Sequence, residues 1–458
     1  MFIPYGKDAK KKRLGGMASI CTCSLLFLAG CSTSIASPST LPSIATVPAP
    51  TETEELDVTE AITIEAVAPT ISEPEVDPAV SLQQELIRTH TLPTFTHWFR
   101  SKDINPTDVT KLTFTYEVPE KYDETWFANS IETEDIMAYR KGTEVFIVSD
   151  YFYLPKYSMN LFNGVAFPKL TAINGLELLD ASRVINTSQM FELSQCRELN
   201  VGGWDVSNVR DMSFMFVGCC NLEELDVSNW DVRNVTNMMA MFQGAEDNAG
   251  DMKLKELDLS KWQTDSLEEM THMFYGCAQL KELDLSSWDV SRIESFSHLF
   301  ADCYSLERID LSGWDTSNAF SFDAMFNDCR SLTSIDISDL DTKQATQFSQ
   351  MFESCYSLKE IIGIETMDVS NASDGAFYEM FHVCKSLESL DLSQWDTSQA
   401  DCTYRMFARC KNLRHLNLSG WDISNIWTLE EMFRSTSNLT IEGISDWDLQ
   451  GKITLRMY

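Results

Sequence analysis

Seven of the 13 cysteines share one position, three residues after a phenylalanine: Cys219, Cys277, Cys303, Cys329, Cys355, Cys384 and Cys410. Thiols in an exported chain often become disulfide staples, and Cys-x-x-Cys pairs would build a tetrahedral metal site. This chain has no Cys-x-x-Cys pair. Equivalent positions of a stacked repeat point inward side by side, so the row is expected to be small, buried, free thiols. Cys219-Cys220 and Cys402 are the exceptions to watch. A second row comprises Asp226, Asp258, Asp284, Asp310, Asp336 and Asp391, each flanked by two apolar residues and therefore facing outward. Neighbouring carboxylates would lie about 4.8 Å apart. Such crowding of like charge is what a calcium ion would relieve. Against calcium stand the missing glycine pairs of calcium-binding solenoids and Asn417 at the same place in one copy. The simpler expectation is that each Asp accepts a turn N–H or is solvated. These six remain the ligand-binding candidates, and calcium is the one ion worth testing.

The tryptophans form a third row: Trp204, Trp230, Trp262, Trp288, Trp314, Trp395, Trp421 and Trp447. Exposed, they would stack on sugars; their strict phase with Leu and Phe assigns them to the core instead. Of the six histidines (His90, His97, His272, His298, His382, His415) only His272 and His298 share a repeat position. None is accompanied by a recognisable nucleophile arrangement. No catalytic and no metal-ligating residue is assigned, and the expectation is a protein that is not an enzyme.

Such rows require an element that repeats. The marker is a Phe at 191, 216, 242, 274, 300, 326, 352, 381, 407 and 433, mostly 26 residues apart. A period between about 20 and 50 residues signals a solenoid, whose units bury their apolar faces only by stacking. In the copy from Phe274, Leu283 and Leu285 flank Asp284 with strand alternation. One short strand per coil in a continuous parallel sheet is therefore expected. Trp288-Asp289-Val290-Ser291 then makes a turn. Ile293, Phe296, Leu299 and Phe300 follow at helical spacing, so a short helix capped by Ser291 is expected to close the coil. The fold class is a repeat solenoid with leucine-rich-repeat-like coils of about 26 residues, preceded by a small α+β capping segment.

The motif Met-Phe-x-x-Cys-x-x-Leu-x-x-Leu-Asp-Leu-Ser-x-Trp-Asp-x-Ser, from about Leu161 onward, resembles the BspA-type leucine-rich-repeat surface proteins of bacteria. That resemblance implies a right-handed solenoid, surface display, and a role in adhesion or binding. It identifies no ligand.

The rest of the chain bears on location. Lys10 to Arg13 form a basic stretch, and the apolar run from Met17 to Gly30 is short for a membrane span. It ends in Leu28-Ala29-Gly30-Cys31, which resembles a bacterial lipobox with Cys31 as the lipidated residue. Ser32, where some lipoproteins carry Asp, favours the outer membrane by the same resemblance. Residues 31–80 hold seven of the 13 prolines and no Lys or Arg, the composition of a disordered tether. Residues 81–160 lack the repeat. Leu112 to Tyr116 and Val145 to Val148 there read as strands, Leu82 to Arg88 as a helix, and Trp98, Trp126 and Tyr139 have bulk to cover an open core. The organisation is thus signal segment 1–30, tether 31–80, cap 81–160 and solenoid 161–458.

Two irregularities interrupt the array: the polar run Glu246 to Asp251, and the coil around Ile361-Ile362-Gly363-Ile364, which lacks the strand Asp and has Met367 for Trp. A net charge of −34 excludes nucleic acid and direct attraction to anionic lipid. The expectation is a monomeric, lipid-anchored surface protein that binds a protein ligand on host matrix or another cell. The alternatives are a structural or assembly lipoprotein of the envelope, and a glycan-active enzyme with its site in residues 81–160.

Overall fold

Coils dominate because each apolar side chain of one copy meets the same side chain of the next. The structure, a computed structural model, describes residues 106–128, 136–244, 252–373, 375–447 and 449. The Cys31 region, the tether, the Leu82 to Arg88 stretch, Trp98, the Glu246 to Asp251 run and the last turn after Trp447 lie outside the described residues.

Eleven phenylalanine rings, from Phe162 to Phe433, form one unbroken stack with centroids 5.4–5.9 Å apart. Each such contact contributes about 0.5–1.5 kcal/mol beyond area burial. A second stack joins Phe296, Phe322, Phe348 and Phe377 at 5.5–6.4 Å. The tryptophans of the repeat pack beside them, and each Nε1–H from Trp204 to Trp421 donates to a carbonyl of the preceding coil, as Trp314 does to Leu285 at 3.0 Å. The indole row is core, as its phase with Leu and Phe requires.

The first five strands are β1 (Lys111–Thr115), β2 (Glu124–Phe127), β3 (Met137–Lys141), β4 (Glu144–Val148) and β5 (Ala172–Asn174). They form one sheet in the order β2-β3-β4-β1-β5, with β2 and β3 in addition to the two strands expected. β1 runs parallel to both β4 and β5, and β5 belongs to the first coil. The sheet of the preceding segment therefore continues directly into the solenoid, and Trp126 packs against the shared core.

The coil strands are β6 (Glu198–Leu199), β7 (Glu224–Leu225), β8 (Glu282–Asp284), β9 (Arg308–Asp310), β10 (Ser334–Asp336), β11 (Glu360–Ile362), β12 (Ser389–Asp391), β13 (His415–Asn417) and β14 (Thr440–Glu442). All pair in parallel, but in separate ladders: β6-β7, β8-β9, β10-β11 and β12-β13-β14. The continuous sheet expected from the Leu-Asp-Leu triplets is thus broken into short ladders, and the triplet Leu257-Asp258-Leu259 forms no strand at all.

The expected helix in each coil is replaced by turns; no α-helix occurs among the described residues. Ser291 caps no helix and donates its N–H to Asp289 Oδ1 at 3.0 Å. The reason lies in where the N–H groups go. His272, Phe274 and Gly276 donate to Ser297, Leu299 and Ala301 of the next coil at 3.2, 3.0 and 2.8 Å, while Met273, Tyr275 and Cys277 bond within their own coil. A helix would use every N–H internally. Here alternate residues turn theirs along the stack. Left-handed residues two before and two after the marker Phe make this possible, as at His272 and Gly276, His298 and Asp302, and Ala324 and Asp328. Each costs a non-glycine residue about 1–2 kcal/mol, offset by inter-coil bonds of about 0.5–1.5 kcal/mol each and by the aromatic stack.

The irregular coil at Ile361 turns its corner differently. Gly363, at φ +86°, leads from β11 into a 3-10 turn over Ile364–Thr366, where other coils use Asp and Ser. A Cβ there would come within 2.5 Å of Ser338 Cα. Gly443 repeats the device after β14. Met367 is buried in the place of the tryptophan.

Candidate functional site

Asp284, Asp310, Asp336 and Asp391 end their coil strands, Asp226 follows β7, Asp258 lies in a coil without a strand, and all six are exposed. Each Asp Oδ1 accepts the N–H of the Ser two residues on, at 3.0 Å for Asp226, Asp310, Asp336 and Asp391 and at 3.1 Å for Asp258 and Asp284. At four of them the Ser hydroxyl also bonds Oδ1, at 2.6–2.8 Å. The row is therefore a set of turn acceptors, the simpler of the two expectations. Asn417 makes the same bond to Ser419. The like charges do sit in register, Asp284 opposite Asp310. Hydrogen bonds from serine hydroxyls first, and backbone N–H groups second, hold Asp226, Asp258, Asp336 and Asp391 below the usual carboxylate range. At Asp310 the Ser312 N–H leads, against the opposing charge of Asp336.

Columns beside this row are mixed rather than acidic. Glu282 pairs with Arg308 across β8 and β9, and Arg197 with Glu223 at 2.7 Å. Fixed negative charge is thus concentrated in the Asp column. A depression of about 90 Å3 opens beside it, lined in part by Asp310, Asp336 and Asp339. Asp339 Oδ2 accepts the Gly313 N–H at 3.1 Å.

The second Asp row, after the tryptophans, also makes turns: Asp205, Asp289, Asp315, Asp396 and Asp422 each accept the N–H two residues on at 2.8–3.1 Å. The seven cysteines of the row are buried and free. Each thiol donates to the marker Phe carbonyl of the preceding coil, at 3.0 Å for Cys219 and Cys410 and 3.1 Å for Cys303. Burial pushes the thiols of Cys277 and Cys410 up to about 12, and those of Cys303, Cys329 and Cys384 well upward too. A thiolate is the reactive form, so this row is chemically silent. Cys196, not part of the expected row, is a further buried thiol, and Cys402 is buried while Cys220 is half-buried.

His272 and His298 stack face to face at 4.7 Å in their shared left-handed position. Burial, then the neighbouring His298, lowers His272 to about 4. His298 Nδ1 has no hydrogen-bond partner among the described residues.

A different cluster was not foreseen. Glu353, Glu379 and His382 bring one donor atom each within 4.8 Å of one another. Glu353 and His382 occupy the position after the marker Phe in successive coils, and Glu379 the left-handed position before it. Glu353 Oε1 meets His382 Nδ1 at 3.1 Å. The side chains are 17%, 6% and 13% exposed for Glu353, Glu379 and His382, which sets them apart from solvated surface acids. Gln350 Nε2 donates to Glu379 Oε2 at 3.1 Å, and Arg405 Nη1 to Glu379 Oε1 at 3.4 Å. Arg405 also bonds Glu431, which Arg434 holds at 2.6 Å. Beside them lies a cleft of about 70 Å3 lined by His382, Arg405, Ala408, Arg409 and Arg434. Reading the positions around the Phe down successive coils, rather than along the chain, was the signal that would have assembled this group.

Fold and site together define a parallel-coil repeat protein with an aromatic spine and a column of outward aspartates. The chain belongs to the DUF285 family, described as "Mycoplasma protein of unknown function", which matches over residues 159–255, 247–363 and 359–456. No curated protein sequence matches it. Among solved structures, a leucine-rich cell surface protein from Faecalibacterium prausnitzii is similar at 12% identity, covering 73% of this chain and 87% of that one, with a TM-score of 0.25. An internalin from Listeria monocytogenes has 17% identity, coverages of 62% and 82%, and a TM-score of 0.19. A leucine-rich-repeat protein from Leptospira interrogans has 13% identity, coverages of 64% and 82%, and a TM-score of 0.20. TM-scores of this size carry no argument, and the architecture rests on the coil geometry described above.

Proposed function

We propose that this chain is a lipid-anchored cell-surface binding protein of the BspA-like kind that recognises a protein ligand through the strand side of its coils. The observation that carries the reading is the Asp column. It is a line of carboxylates, each held at one oxygen by a serine N–H, beside columns that carry both signs of charge. A line of fixed negative charge at strand spacing suits an extended basic segment, or a partner bridged by calcium. Surface display rests on the Leu28-Ala29-Gly30-Cys31 box and the acidic, proline-rich stretch that follows it.

The test is retention of extracellular-matrix proteins on the immobilised full chain across a salt series. Binding is expected to weaken as salt rises from about 50 to 500 mM, because screening shortens the reach of the Asp column. Asp284→Asn combined with Asp310→Asn should weaken it further, and a calcium titration separates bridging from steering. Retention indifferent to salt, calcium and both substitutions would remove the Asp column from the reading.

A further inference from the structure

We propose that Glu353, Glu379 and His382 form a binding site for a divalent transition metal, with zinc as the ion of choice. The three residues come from two neighbouring coils, at the step from Phe352 to Phe381, which spans 29 residues rather than the usual 26. No other group of three His, Cys, Asp or Glu donors comes together in this way among the described residues. An imidazole and two carboxylates at about 2.0–2.2 Å from zinc lie roughly 3.3–3.6 Å from one another. The Glu353–His382 contact is already at 3.1 Å. The three donor atoms already lie within 4.8 Å of one another, so an ion asks for a short further approach by Glu379.

Charge and burial favour a cation here. Arg405 pairs with Glu379 and Glu431 and Arg434 with Glu431, whereas Glu353 meets the His382 imidazole. Among the described residues Glu353 pairs with no Lys or Arg, so its carboxylate, held against the imidazole, is open to a cation. Arg405 does not block the site. Its contact to Glu379 is 3.4 Å, while it bonds Glu431 through Nε, so it can keep Glu431 when Glu379 turns to an ion. Gln350, which bonds both Glu353 and Glu379, orients the pair.

The donor set also selects the ion. Calcium seeks six to eight oxygens, whereas one imidazole with two carboxylates suits zinc. A three-ligand protein site leaves a coordination position open. The cleft lined by His382, Arg405 and Arg434 adjoins it, with room for about two waters. Exposed Arg409 stands at its rim. A water or a small anion can complete the shell from that side.

The experiment is calorimetric titration of zinc alone into the chelator-treated full chain, with calcium and magnesium titrated in parallel. One zinc site is expected, together with a rise in the melting temperature when zinc is added. His382→Gln, Glu379→Gln and Glu353→Gln should each weaken zinc binding by about tenfold or more and abolish the rise. The other histidines provide the internal control, since His415→Gln should leave the titration unchanged. Glu353→Gln is the variant least able to disturb folding, because Glu353 is the most exposed of the three and glutamine keeps its shape; circular dichroism without zinc verifies each fold. Absence of zinc uptake by the unsubstituted chain overturns the proposal. So does zinc binding that a folded Glu353→Gln or His382→Gln variant retains.

Discussion

Cys303 donates its thiol to Phe274 O at 3.1 Å inside a closed core, and burial holds that thiol protonated. The same holds along the row from Cys277 to Cys410. Native protein at mildly alkaline pH should therefore resist iodoacetamide, then take up several labels once denatured without any reductant. Mass mapping that finds the row linked in pairs would contradict the geometry. His272 makes a pH prediction. Its native value of about 4 lies below the ordinary 6.5, so the unfolded chain binds the proton more readily. Stability from the neutral ring is complete above about pH 6.5 and is lost as pH falls toward 4, by an amount on the order of 2–3 kcal/mol. Asp323 and Asp302, raised by burial beside His298, oppose part of that loss. His272→Asn, a residue that tolerates the left-handed backbone, should flatten the acid limb of a denaturation-versus-pH curve between those limits. An unchanged limb would mean the loss arises elsewhere.

At the scale of the element, what could be read from the sequence depended on periodicity. The Phe, Trp and Cys rows were legible because identical residues at a fixed spacing can only stack. The Leu-Asp-Leu strand was legible from its alternation. The helix was not, because Ile293, Phe296, Leu299 and Phe300 face the core equally well in a chain of turns. Spacing reports which side chains point inward and says nothing of which coil accepts the N–H. The Glu353–Glu379–His382 group was hidden for a related reason: its members are 26 and 29 residues apart or occupy positions where other coils carry unrelated residues. The left-handed turns give a sharp test. Val383 is β-branched, yet sits at φ +64° with its N–H bonded to Ala408 O at 2.9 Å. Val383→Gly keeps that bond and should raise stability by about 1 kcal/mol, strain relief of about 1–2 kcal/mol outweighing the added chain entropy. A midpoint that falls in urea would show that Val383's packing outweighs its strain.

Whole-molecule behaviour follows from a core that is a line. Phe300 stacks on Phe274 and Phe326, both at 5.6 Å, and on nothing further along the spine. Removing that ring leaves a cavity between three coils, so Phe300→Ala should cost about 3–5 kcal/mol. In a solenoid the loss passes to nearest neighbours and decays with distance. Hydrogen exchange should rise most from Phe274 to Phe326 and least beyond Phe407. Exchange that rises equally in every coil would mean that the stack unfolds as one unit.

The same linear core argues that attachment and folding are separable. Among the described residues the core begins at Val109, far along the chain from Cys31. If Cys31 carries the acyl chains, Cys31→Ser should move the protein from the detergent phase to the aqueous phase, since each buried methylene contributes about 0.8 kcal/mol to anchoring. The melting curve of the coils should stay where it was. Protein that remains in the detergent phase after the substitution would place its membrane affinity somewhere other than the lipobox.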